Sequence, residues 1–204
     1  MLELYNNLLY NDSHIILNIR QKLLKEVKNM TPYYEVQPDR LKIIHNHREL
    51  SFPPHIHDNI EILYVNKGTQ HISINNIKYK INEQDVAIIF PNLLHEYYKD
   101  DKKNADGTLI ICDPKIFLNM FPNLTQSTPK NPVIKNNTLN KEAVFALDSI
   151  NAEKPFPINL GFVYVLMHHI LDNLDIINKQ NFYPENITKK IIEYITKNFT
   201  NPIT

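Results

Sequence analysis

Short strand-like segments follow one another along residues 40–113, and no helical periodicity interrupts them. Each segment ends at residues that favour turns, such as Gly68, Pro91 and the pair Asn75-Asn76, which tolerates the positive φ of a tight hairpin. Many short strands at close spacing, with no helices between them, predict an antiparallel barrel or sandwich. The predicted strands cover residues 60–65, 69–74, 77–81, 85–90, 95–98 and 108–112.

Composition limits the classes of protein to which this chain can belong. The 204 residues are 43% hydrophobic and carry 22 basic and 22 acidic side chains, for a formal net charge of zero. A chain of this length and hydrophobicity can bury a sizeable core. A surface that binds DNA is usually basic, and this chain has no net charge. One cysteine, Cys112, excludes a disulfide within the chain and fits a reducing cytoplasm. The start lacks a signal-peptide pattern, and the most apolar run, 160–171, is too short to span a bilayer, so we predict a cytoplasmic protein without a membrane partner.

Polar residues interrupt the apolar pattern at the start of the first predicted strand. If this stretch is extended, its period of two places His55, His57 and Glu61 on the side of Leu63, which is the interior. Two imidazoles and a carboxylate are costly in an apolar interior unless they are satisfied. A divalent metal satisfies them, with His95 as the candidate fourth ligand. The alternative is that the four groups hydrogen-bond one another and a polar effector.

The spacing of these residues resembles a known family. His55-x-His57-x3-Glu61-x6-Gly68 is similar to the first cupin motif, and the 85–90 strand with Pro91-x3-His95 is similar to the second motif as it occurs in AraC-type regulators. The sequence departs from the cupin enzymes at Gln84, where a glycine is expected, and it lacks the glycine expected after Pro91. The resemblance implies an α+β fold: an antiparallel cupin β-barrel (jelly-roll) with an N-terminal helix and a C-terminal helical dimerisation segment.

Imidazole and carboxylate groups lie in the predicted interior beside the aromatic residues Tyr64, Phe90 and Tyr97, a combination that suits a small polar molecule. We expect a small polar effector, with a sugar as the candidate, and a site that could hold one divalent metal ion (Zn, Ni, Mn or Fe). The expected metal ligands are His55, His57, Glu61 and His95. The expected ligand-binding residues are His55, His57, Glu61, Leu63, Tyr64, Phe90, His95 and Tyr97.

Helical patterns flank the strands. Residues 1–38 are predicted to be an N-terminal helical extension, 39–113 the effector-binding barrel, and 114–182 a linker with dimerisation helices. The long predicted helix, 159–179, carries a seam with the 3-4-3-4 spacing of a coiled coil, which we interpret as the interface of a homodimer. The alternative is that the helix packs on its own barrel. The residues predicted for dimerisation are Leu160, Val163, Met167, Ile170 and Leu174.

The tail, 183–204, contains an amphipathic helix that resembles the first helix of an AraC-type DNA-binding domain. Its apolar positions include Ile187, Ile191, Ile195 and Phe199, and Asn-Pro-Ile-Thr follows it. We expect a chain trimmed before its helix-turn-helix. The alternative is a natural stand-alone protein with an ordinary last helix.

The function indicated by this resemblance is ligand sensing and dimerisation in an AraC-type DNA-binding transcription regulator. We therefore predict no enzymatic activity, and contact with DNA only through a C-terminal domain absent from this chain. One alternative is a metal-dependent cupin enzyme, either a dioxygenase or a sugar isomerase, that uses the same four ligands with an open coordination position. Another is a plain sugar- or metal-binding cupin.

Overall fold

The structure is a computed structural model that describes residues 32–99 and 105–179, together with Ile191 and Tyr194. The predicted N-terminal helix lies outside the described residues, as does the predicted tail helix apart from these two positions. No helix in the described part of the chain is both long and apolar enough to span a membrane.

The described residues form twelve strands, two α-helices and three short 3-10 helices. The strands are β1 (Tyr33–Tyr34), β2 (Leu41–Asn46), β3 (Phe52–Ile56), β4 (Ile60–Lys67), β5 (Thr69–Ile74), β6 (Ile77–Asn82), β7 (Val86–Ile89), β8 (His95–Tyr98), β9 (Asp106–Cys112), β10 (Ser127–Pro129), β11 (Val133–Ile134) and β12 (Ile176–Asn178). The α-helices are α1 (Lys141–Ser149) and α2 (Phe156–Asp172), and the 3-10 helices cover Pro114–Phe117, Leu124–Gln126 and Asn136–Thr138.

Ten of the strands form two five-stranded sheets. The first sheet has the order β1-β3-β8-β5-β6, and the second has the order β11-β7-β4-β9-β2. All neighbouring strands are antiparallel except β1 and β3, which are parallel. Within the described residues no ladder joins the two sheets, so the predicted closed barrel is corrected to an open two-layer arrangement.

The chain crosses between the two sheets at turns. The chain leaves the first sheet after Ile56, turns through residues 57–59 and enters the second sheet at Ile60. It returns to the first sheet at Gly68, whose φ of 80° suits glycine.

Most strand predictions are confirmed. The pair Asn75-Asn76 forms the predicted hairpin turn between β5 and β6, with φ values of 49° and 66°. The sequence prediction missed β1 and the short strands β10 to β12, and it joined β3 and β4 into one strand. One of the short strands, β11, lies in the predicted linker and pairs with β7, so this linker contributes a strand to the second sheet.

The two helices complete the core. The side chain of Asn140 accepts a hydrogen bond from the backbone N–H of Ala143 (2.9 Å), which caps the start of α1. The helix α2 ends at Asp172, not at the predicted residue 179, because residues 176–178 pair with β10 as β12. Buried side chains of both helices belong to the same hydrophobic cluster as the strands.

The predicted dimerisation seam faces this core. Val163, Met167 and Ile170 are fully buried within the single chain, and Leu160 and Leu174 pack partly buried against the cluster. A partner subunit therefore cannot contact the three central side chains unless the core opens. These three residues therefore pack on the core of their own chain, which is the second of the two interpretations of the seam.

Candidate functional site

Three histidines and one glutamate converge between the two sheets. His55 lies in β3 and His95 begins β8 in the first sheet, Glu61 lies in β4 in the second, and His57 lies in the turn between β3 and β4. One ligand atom from each of the four lies within 4.8 Å of the others, and none of the four residues is more than 2% exposed. The structure thus brings all four predicted metal ligands together.

The reason for the convergence differs from the predicted one. The predicted period of two places His55, His57 and Glu61 on one face of a single strand. In the structure the chain changes sheets at residues 57–59, so His55 and Glu61 lie on facing sheets. The turn folds the two strands over one another, and the three side chains meet across the interior.

Glu61 is the centre of the hydrogen-bond network. The Nε2 atom of His57 donates to its Oε1 (2.9 Å), and the hydroxyl of Tyr97 donates to its Oε2 (2.5 Å). The backbone N–H of Asn59 donates to Nδ1 of His57 (3.2 Å), which assigns the donating proton to Nε2. His95 differs, because its Nε2 lies 3.6 Å from Glu61 Oε2 and has no hydrogen-bond partner.

Backbone carbonyls orient the other two rings. Nδ1 of His55 lies 2.9 Å from the carbonyl oxygen of Pro53, and Nδ1 of His95 lies 2.9 Å from that of Leu93. A carbonyl oxygen only accepts, so Nδ1 is the donor in both rings. When these rings are neutral, their Nε2 lone pairs face the interior, as a metal ligand requires.

The electrostatics of the site favour neutral His55 and ionised Glu61. Burial and the neighbouring His95 lower the pKa of His55 to about 3, so this ring is uncharged at neutral pH. Burial alone would raise the pKa of Glu61, but His95 and the hydrogen bond from His57 outweigh it and hold this pKa well below its usual value. Burial would lower the pKa of His57, yet its hydrogen bond and attraction to Glu61 raise it. Burial and Glu61 raise the pKa of Tyr97 well above its usual value.

The remaining predicted ligand-binding residues fall into two groups. Tyr97 contacts the cluster through Glu61, and Leu63 shares a strand face with Glu61 because the two are two residues apart. Tyr64 lies on the opposite face, where burial and Asp148 of α1 raise its pKa. Phe90 is buried just after β7 and makes no ring contact with the four-residue cluster within the described part of the chain.

Two residues from β1 and its end join the site without having been predicted. The ring of Tyr33 stacks on His55 with centroids 5.9 Å apart, and the Oε2 of Glu35 lies 3.6 Å from Nε2 of His55. Burial, with Glu35 next, raises the pKa of Tyr33 to about 12. The only signal in the sequence is that Tyr33 and Glu35 are two residues apart, directly after Pro32, which is too short a pattern to identify a strand.

The four donors fit a divalent cation. In a tetrahedral site with bonds of about 2.1 Å, two ligand atoms are about 3.4 Å apart, so a cluster whose ligand atoms lie within 4.8 Å of one another must contract to bind an ion. The unpaired, buried Nε2 of His95 supplies an unused donor. Imidazole nitrogen and carboxylate oxygen together are typical ligands of Zn²⁺, Ni²⁺, Fe²⁺ and Mn²⁺.

A two-layer β-fold that encloses a polar cluster between its sheets suits a domain that binds a small ligand or a metal ion. Residues 37–151 match the family described as AraC-like ligand binding domain. The chain belongs to this family. A comparison with curated proteins finds no match.

Several solved structures resemble part of the chain. The cupin domain of Cnp3 from Schizosaccharomyces pombe is 9% identical, with a TM-score of 0.34, over 43% of this chain and 66% of that one. An RmlC-like cupin family protein with a double-stranded β-helix fold from Methanocaldococcus jannaschii is 15% identical, with a TM-score of 0.34, over 39% and 77%. A cupin 2 conserved barrel domain protein from Salinispora arenicola is 14% identical, with a TM-score of 0.32, over 40% and 72%. The family match, and not these neighbours, identifies the chain.

Proposed function

We propose that this domain senses a small polar molecule for an AraC-type transcription regulator, and that a divalent cation held by His55, His57, Glu61 and His95 forms part of the binding site. The role is one of recognition, not catalysis. The observation that carries the proposal is the convergence of four buried donors with one nitrogen, Nε2 of His95, left unpaired. Family membership supports the sensing role.

The cation has a specific part in this proposal. It would neutralise the buried carboxylate of Glu61 and offer a positive centre to hydroxyl or carboxylate groups of the effector. The chain's own residues hold and orient it: carbonyls fix the rings of His55 and His95, and Tyr97 fixes one oxygen of Glu61. Sugars are the first class of effector to test, because their hydroxyls suit both the ion and the polar side chains.

Effector binding should raise the thermal stability of the cation-loaded domain. A ligand that binds only the folded state at about one hundred times its Kd adds about 2.7 kcal/mol, which raises Tm by about 5 to 10 °C in a domain of this size. We expect one member of a panel of small sugars and sugar acids to produce this shift in wild type, measured by calorimetry or circular dichroism.

The control for this experiment compares two histidines. His95→Ala removes a donor from the cluster and should abolish the shift, whereas His45→Ala changes an exposed residue of β2 and should keep it. An equal rise in Tm for both variants would place the effector elsewhere and contradict the proposal.

Cation binding should weaken as the pH falls. Nε2 of His57 carries the proton that Glu61 accepts, so this proton must leave Nε2 before the atom can bind a metal. A doubly protonated ring must in addition lose one proton to solvent, so cation and proton compete. Because Glu61 raises the pKa of His57 above 6.5, the weakening should begin above that pH and reach about tenfold per pH unit below the pKa of His57. Calorimetric titrations with Mn²⁺ between about pH 5.5 and pH 8 measure it. Affinity that does not change over this range would exclude His57 as a ligand.

Assembly and DNA contact are further parts of the proposal. We propose a homodimer that uses the exposed side of α1 and α2, where Phe145, Ile158 and Val165 present apolar side chains to solvent. DNA would be contacted only by a further C-terminal domain. A cytoplasmic location and the division of the chain into four segments stay predictions.

A further inference from the structure

Glu35 brings a second carboxylate to the site from outside the four-residue cluster. Its backbone N–H donates to the carbonyl of Ile56 (2.8 Å), which continues the parallel pairing of β1 with β3. Its Oε1 accepts a hydrogen bond from Nε2 of Gln37 (2.8 Å). Hydrogen bonds therefore hold the backbone of Glu35 and its Oε1 atom, and the other carboxylate oxygen, Oε2, lies near His55.

The contact between Glu35 and His55 brings a carboxylate oxygen close to a ring nitrogen. Oε2 of Glu35 lies 3.6 Å from Nε2 of His55, which is longer than a hydrogen bond. Nδ1 of His55 contacts the carbonyl oxygen of Pro53, so Nε2 is the ring nitrogen that remains for a cation. A cation beside both atoms would be bound by the nitrogen and attracted by the carboxylate.

The position of Glu35 suits a ligand added from the solvent side. Its side chain is 23% exposed, whereas that of His55 is 1% exposed. Glu35 contacts the cluster through His55 and is not within 4.8 Å of every other member. Neighbouring ligands at right angles on one ion, with bonds of about 2.1 Å, are about 3.0 Å apart, so a modest inward movement of the carboxylate would reach that separation.

We propose that Glu35 is a fifth ligand of the bound cation and that it selects ions that accept more than four protein ligands. This inference rests on the proposed cation site. Three imidazoles and two carboxylates exceed the four ligands that Zn²⁺ takes in most protein sites, but they suit Mn²⁺, Fe²⁺ or Co²⁺ with higher coordination numbers. The second carboxylate also balances the charge of a divalent ion.

The test compares Mn²⁺ and Zn²⁺ binding to wild type and to Glu35→Gln by calorimetric titration. We expect the variant to lose about tenfold in Mn²⁺ affinity and less than about threefold in Zn²⁺ affinity, because four ligands satisfy Zn²⁺. With Co²⁺ as a spectroscopic probe, the visible absorption bands should intensify in Glu35→Gln as the coordination number falls. Glu153→Gln removes the same charge from an exposed loop residue and should match wild type in all three measurements. Circular dichroism verifies that both variants fold.

Each other outcome overturns the inference in a distinct way. Equal losses for Mn²⁺ and Zn²⁺ would mean that Glu35 acts only through its charge. Unchanged affinities and an unchanged Co²⁺ spectrum would mean that it does not contact the ion, while the four-residue site stands. If wild type binds none of the three ions, the cation part of the proposed function fails together with the role of Glu35.

Discussion

Replacing Glu61 with glutamine is expected to lower the affinity of the domain for Mn²⁺ by more than about 100-fold, because it removes a charged ligand together with the partner that orients His57. Glutamine has nearly the same shape but carries no charge. Its amide nitrogen also donates, so it cannot accept hydrogen bonds from both His57 and Tyr97 through equivalent oxygens. Calorimetric titration measures the loss, and circular dichroism measures whether the fold survives.

The chain contains a matched control for this substitution. Glu49 and His71 form a second buried carboxylate–imidazole pair, at 3.0 Å, compared with 2.9 Å for Glu61 and His57. His71 pairs with Tyr98, the chain neighbour of Tyr97, so His71 and Tyr97 lie on opposite faces of the first sheet. Glu49→Gln should therefore cost stability, by about 1 to 3 kcal/mol, without changing Mn²⁺ affinity. If both variants lose affinity equally, the effect is a general loss of structure and the assignment of Glu61 as a ligand is wrong.

Met167→Glu is expected to destabilise the domain by more than about 4 kcal/mol, because it buries an unpaired charge in the core and removes the packing of methionine. Met167 is fully buried among strand and helix side chains. Typical domains are stable by only about 5 to 15 kcal/mol, so the substitution removes a large share of the free energy of unfolding. Chemical denaturation of wild type and variant gives the difference in the free energy of unfolding.

Introducing glutamate two residues earlier, at Val165, distinguishes an effect on the core from an effect on a subunit interface. Val165 lies on α2 but is 41% exposed, so Val165→Glu should change stability by less than about 0.5 kcal/mol in the single chain. If α1 and α2 form the dimer interface through their exposed side, Val165→Glu should instead weaken dimerisation, which sedimentation measures. A folded Met167→Glu protein that has merely become monomeric would show that the seam faces a partner after all.

Strands and helices were predictable where local patterns carry the information. The hairpin β5–β6 follows from two alternating runs around Asn75-Asn76. The strands β3 and β4 were predicted as one strand because the period of two runs from His55 to Glu61, and the turn at residues 57–59 leaves no break in that period. The end of α2 was missed because the apolar period continues to Ile177, whereas pairing with β10 makes this residue part of a strand.

The candidate site was predictable where a motif spans it. His55, His57, Glu61 and His95 were identified from their spacing, although the fold brings them together through a turn between sheets and not along one strand. Tyr33 and Glu35 could not be found this way. They reach His55 through a two-residue parallel strand that pairs with residues about twenty positions later, and such pairing leaves no local period in the sequence.

The carbonyl contacts of His55 and His95 have a consequence for how freely this site can vary. In both cases the orienting acceptor is the main chain two residues earlier, at Pro53 and Leu93, and not a side chain. Replacing the side chain at either position leaves the acceptor in place as long as the backbone keeps its path. The tautomer of these two rings is thus protected against most point mutations, so related sequences can diverge around the cluster while its nitrogen donors keep the same orientation.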